Sequence, residues 1–85
     1  MSAFRVAVHI IPRRGLLDPQ GKAVADALRT LDFGGVRDVR VGRHVVISTE
    51  AETPDAAAAS ARAMCERLLA NPVTEDFEIA GVEAE

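Results

Sequence analysis

The sequence predicts an α+β fold whose elements run strand, helix, strand, strand, helix, strand. Three observations carry that order. Phe4, Val6, Val8 and Ile10 alternate with Arg5, Ala7, His9 and Ile11, Asp18-Pro19 and Thr53-Pro54 each open a helical pattern, and Val36 to Thr49 is rich in β-branched residues around Gly42-Arg43. The fold expected from them is a two-layer sandwich, with two helices on one face of a four-stranded antiparallel sheet and the other face open.

In the first strand, Phe4, Val6, Val8 and Ile10 form the inward set, and Pro12 ends the run. After the loop Arg13-Arg14-Gly15-Leu16-Leu17, Asp18 stands at an N-cap position with Pro19 at the first helical position. The helix is predicted over Pro19 to Leu31, with Val24, Ala27, Leu28 and Leu31 as its apolar stripe. Gly34-Gly35 supply its left-handed terminus. From Val36 to Thr49 two strands are expected, joined by a tight turn at Gly42-Arg43, although one long strand with a glycine bulge fits the same residues.

Thr53 caps the second helix, where Pro54 sets the first position and Asp55 complements the dipole. Its stripe is Ala57, Ala61, Met64, Cys65, Leu68 and Leu69, and Asn71-Pro72 stop it. Val73, Phe77, Ile79 and Val82 predict a last strand with an acidic end. This is the split βαβ order of the ferredoxin-like fold.

At 85 residues the chain is expected to form one domain, residues 1–85, with a thin core. A folded protein of this mass exposes about 4,900 Å². Such a core favours self-association. The open face would carry Arg5, Ala7, His9 and Ile11 from the first strand and His44, Val46 and Ser48 from the third, a mixture suited to another protein surface.

Composition narrows the function. A net charge of −3 is the wrong sign for a domain held to nucleic acid by phosphate neutralisation, and with no Trp or Tyr and three Phe few residues could stack a base. No apolar run reaches membrane-spanning length, and the single Cys65 cannot form an internal disulfide, so the expected location is cytoplasmic.

Among residues able to do chemistry, His9 and His44 fall on neighbouring antiparallel strands and can face each other, but they lack further metal ligands. Cys65 lies on an apolar stripe with no neighbouring base, the setting of a core residue. The Arg13-Arg14-Gly15 loop before a helix is a reasonable anion site. An acylphosphatase, which shares the element order, also needs an asparagine to orient water, and Asn71 is placed at a helix end instead. No catalytic set can be assembled.

Several runs resemble the PurS family, the small subunit of phosphoribosylformylglycinamidine synthase. They are Leu17-Asp18-Pro19-Gln20-Gly21-Lys22-Ala23-Val24, Val36-Arg37-Asp38-Val39-Arg40-Val41-Gly42-Arg43, Met64 to Val73, and Glu75-Asp76-Phe77. The resemblance covers Phe4 to about Val82. It implies a noncatalytic subunit of purine biosynthesis that bridges a glutaminase, PurQ, and an ATP-dependent synthetase, PurL, and assists ammonia transfer. The complex converts formylglycinamide ribonucleotide to formylglycinamidine ribonucleotide.

By the same resemblance, ATP, Mg and glutamine are used by the complex and no cofactor by this chain alone. Self-association as a dimer or tetramer is implied as well. The helix-opening residues Asp18 and Gln20 and the hairpin residues Asp38, Arg40 and Arg43 match family motifs. With Arg13, His9 and His44 they are the expected partner-facing set. The competing reading is a small-molecule sensor built from paired βαββαβ domains.

Overall fold

The structure, a computed structural model, describes residues 1–15 and 18–85; Leu16 and Leu17 of the predicted loop lie outside the described residues. The elements are β1 (Ser2–Pro12), α1 (Pro19–Thr30), β2 (Arg43–Ala51), α2 (Pro54–Met64) and β3 (Glu75–Ala84), with a π-helical turn at Cys65–Leu69 prolonging α2. β1 is the central strand, antiparallel to β2 on one side and β3 on the other.

Period-two patterning explains the register. Val6 pairs with Ile47 and Val82, and Val8 with Val45 and Ile79, so their side chains form rows on one face. Ala7 faces Gly81 while Val8 faces Ile79, which makes Ala80 an extra residue in β3. That bulge keeps both Ile79 and Val82 on the inner face despite their odd spacing.

α2 closes this face. Ala57, Ala61 and Cys65, one helical turn apart, are fully buried against Phe4, Val6, Val8 and Ile10. The helix begins where the caps predict, with the Ala56 N–H donating to Thr53 Oγ1 at 3.1 Å. Beyond Met64 the helix widens, and the Ala70 N–H donates to the Cys65 carbonyl at 3.0 Å across one extra residue. The extra residue rotates the stripe: Leu69 and Ala70 turn inward, whereas Leu68, predicted as core, is 82% exposed.

Three predicted features are corrected. Among the described residues the sheet has three strands, and residues 36–42 form no ladder. Three of their backbone groups are met from α1 and its N-cap instead: Arg29 donates to the Val36 and Arg37 carbonyls at 3.1 and 3.2 Å, and the Val41 N–H donates to Asp18 Oδ2 at 3.1 Å. Gly42 is accordingly no hairpin turn. It lies just ahead of β2, where a side chain would overlap the Ile10 carbonyl oxygen, so the requirement is close backbone approach.

The second correction concerns α1, which does not pack on the sheet as the second helix of the sandwich. With the returning segment 31–41 it forms an arm, and burial on the helix falls on Gly21 and Ala25. The predicted stripe stays largely uncovered, with Leu31 66% exposed and Phe33 beyond it 57% exposed. Third, Asp32 at φ 75° takes the left-handed position predicted for Gly34-Gly35. Bonds from Phe33 N–H to the Leu28 carbonyl and from Asp32 N–H to the Arg29 carbonyl, both 3.1 Å, complete the terminus.

The arm makes the molecule long, 51 × 25 × 13 Å, with a radius of gyration of 16.2 Å. A compact chain of this length has about 12 Å. Its accessible surface is 5,953 Å², about 1,000 Å² more than a compact monomer of this mass exposes.

Candidate functional site

The sheet face away from α2 is the face the alternation predicted to be open. Three rows of its side chains cross all three strands: Ser48, Arg5 and Glu83; Val46, Ala7 and Gly81; His44, His9 and Glu78. The middle row is apolar or small, and Val46 within it is 51% exposed. The outer rows are polar and partly self-paired. Arg5 lies 3.8 Å from Glu83, the Ser48 hydroxyl donates to Glu85, and His9 Nδ1 lies 3.1 Å from Glu78 Oε1. An apolar strip between polar rows matches the layout of a protein–protein contact, with a dry centre and a wet rim.

The predicted facing of His9 and His44 is present. They pair in register, with ring centroids 5.0 Å apart and planes tilted by 51°. Glu78, which sequence reasoning did not single out, joins them; its signal was the acidic residue at every second position of β3, Asp76 and Glu78. Among the described residues no three His, Cys, Asp or Glu side chains converge on a point that could hold a metal ion.

Past the histidine row the face opens into a cleft of about 570 Å³, where the arm joins the sheet. It brings together five of the predicted residues, His9, His44, Asp38, Arg40 and Arg43, and adds Arg14. A second hollow of about 300 Å³ lies within the arm, with Arg13, Asp18, Asp38 and Arg40 along its walls. Gln20 lines neither and sits exposed in the first turn of α1.

Three predicted residues have internal duties. Asp18 accepts from the Gly21 N–H at 3.1 Å and also from Val41, and those two N–H groups, Gly21 first, hold its carboxyl below the ordinary value. Arg13 donates to Asp76 at 3.1 Å and to the Pro72 carbonyl at 2.7 Å, tying the end of β1 to the turn before β3. Arg43 donates at 2.8 Å to both the Leu69 carbonyl and Glu75, closing the π-helical turn. Burial pushes the Cys65 thiol upward, which keeps it protonated and unreactive.

The family model that matches this chain is PurS, phosphoribosylformylglycinamidine (FGAM) synthase, over residues 5–83. The PurS subunit of phosphoribosylformylglycinamidine synthase from Mycobacterium leprae is 45% identical over 75 residues, covering 88% of this chain and 91% of that protein. The solved structure of Thermus thermophilus PurS superposes with a TM-score of 0.83 at 37% identity, covering 95% of each chain. A chain in the structure of PurLQS from Thermotoga maritima superposes with a TM-score of 0.81 at 30% identity over 100% of both chains.

Proposed function

This chain belongs to the PurS family of phosphoribosylformylglycinamidine synthase subunits, and from that premise we propose that residues 1–85 act as one unit bridging the glutaminase PurQ and the synthetase PurL. In this role the chain makes and breaks no bonds. It assists the passage of ammonia while formylglycinamide ribonucleotide becomes formylglycinamidine ribonucleotide, and ATP, Mg and glutamine are consumed by the complex.

The observation that carries this reading is the surplus surface. About 1,000 Å² beyond the compact expectation is more than one partner's share of a standard interface, about 800 Å². The arm contributes to it through apolar residues left exposed among the described residues, Leu31 and Phe33 by more than half and Val24 by 39%. The open sheet face supplies a second contact area through Val46 and Ala7. Two separate faces on a small chain suit a subunit that associates with itself, as a dimer or tetramer, and with two different partners.

Of the predicted partner-facing residues, His9, His44, Asp38, Arg40 and Gln20 have side chains in position to meet another protein. Arg13, Asp18 and Arg43 contribute chiefly by holding the arm and the π-helical turn in place. Native mass measurement on a mixture of this chain with PurL and PurQ tests the reading. A species containing all three is expected, and it should be lost when Val46→Asp is placed on the open face. A PurL–PurQ complex of the same stability without this chain would overturn it.

A further inference from the structure

The cleft at the end of the histidine row contains more positive charge than the fold uses. Arg14 has no hydrogen bond or ion pair with any described residue, and Arg40 gives one N–H to the Pro12 carbonyl at 3.2 Å and meets no carboxylate among them. His44 touches His9 ring to ring, while His9 is the imidazole engaged by Glu78. Asp38 is the one carboxylate lining the space.

We infer that this cleft binds a phosphate monoester of a small molecule, with the guanidinium groups of Arg14 and Arg40 on the phosphate oxygens and the His44 ring beside them. Planar guanidinium forks match phosphate geometry and strengthen as charge-assisted donors. At about 570 Å³ the space accepts a phosphorylated sugar or nucleoside. The chain's net charge of −3 disfavours a polyanion such as nucleic acid, so recognition is local to two cations. Asp38 opposes any anion there and sets a modest affinity.

The site shares His44, Asp38 and Arg40 with the proposed partner-facing set, so it is tested on the full chain alone, where no partner competes for them. Amide resonances are followed while inorganic phosphate, ribose 5-phosphate or ribose is added. Both phosphates should shift Gly42 and His44 saturably, and ribose should not. Tighter binding of the sugar phosphate would identify a phosphorylated metabolite, and equal binding would identify free phosphate.

Arg14→Gln, which removes no hydrogen bond or ion pair with a described residue, and Arg40→Gln should each weaken binding about tenfold, the scale of one charge-assisted hydrogen bond. Asp38→Asn should tighten it severalfold. Linear, unsaturable shifts would overturn the site, as would an affinity unchanged in the Arg14→Gln, Arg40→Gln double variant.

Discussion

The Val41 N–H donates to Asp18 Oδ2 at 3.1 Å while the other oxygen of the same carboxylate caps α1 at Gly21, also at 3.1 Å. One side chain therefore starts the helix and fastens the returning strap to it. Asp18→Ala should release both ends of the arm, which hydrogen exchange would show as faster exchange at Gly21 and Val41 with α2 and β1 unchanged. Asp18→Asn, which keeps one oxygen, should release less.

The same carboxylate gives the arm an acid sensitivity. Its folded pKa is depressed by the Gly21 and Val41 donors, so its contribution is present above the ordinary carboxylate pKa and is lost as pH falls through the folded value. The protection factor at Val41, its exchange rate relative to the intrinsic rate at each pH, should fall selectively on acidification. In Asp18→Asn that pH dependence should vanish.

Gly21 sits where α1 and the strap meet, and a Cβ there would overlap the Val39 carbonyl oxygen. Gly21→Ala raises helix propensity yet should destabilise the fold by about 1–3 kcal/mol, as overpacking against backbone does. Gly34→Ala, in open space on the same arm, should change the melting temperature little. Equal effects at the two sites would mean that the strap does not lie on the helix.

Arg40 and Arg43 are separated by their internal partners. Arg43→Glu breaks the bonds to Leu69 and Glu75, and with Arg43 about half exposed the loss should be about 1 kcal/mol or less. Arg40→Glu should leave thermal stability nearly unchanged and weaken assembly with PurL and PurQ. Denaturant melts of each isolated variant, set beside its complex affinity, separate the two effects.

Cys65 is fully buried with its thiol pKa raised by desolvation. Alkylation at neutral pH should therefore be slow in the folded chain and fast once denaturant unfolds it. Cys65→Ser should cost about 1–3 kcal/mol by burying a hydroxyl without a partner. Rapid alkylation of the native protein would contradict the placement.

The sequence made legible whatever depended on local chemistry or strict alternation. Asp18-Pro19 and Thr53-Pro54 announced both helix starts, and alternation along β1 and β2 placed His9 beside His44. The arm was not legible. Val36, Val39 and Val41 read as a strand by β-branching, yet their neighbour is α1, with the Val36 carbonyl met by Arg29, the Val41 N–H by Asp18 and the Val39 carbonyl lying close to Gly21, a tertiary choice that propensity does not encode.

The stripe Val24, Ala27, Leu28 and Leu31 reported correctly that α1 wants apolar cover. It did not say that the cover is absent from the chain's own sheet. Of the candidate site, the open face, its histidines and the basic Arg13-Arg14 loop were legible, while Glu78 became visible only when register brought it beside His9.

The measurement that tests the central claim most directly is reconstituted turnover. PurL and PurQ from the same organism are supplied with glutamine, ATP, Mg and formylglycinamide ribonucleotide, with and without this chain, and ammonia replaces glutamine in a parallel reaction. The bridging role predicts glutamine-dependent product only when the chain is present. Equal glutamine-dependent turnover in its absence would contradict it.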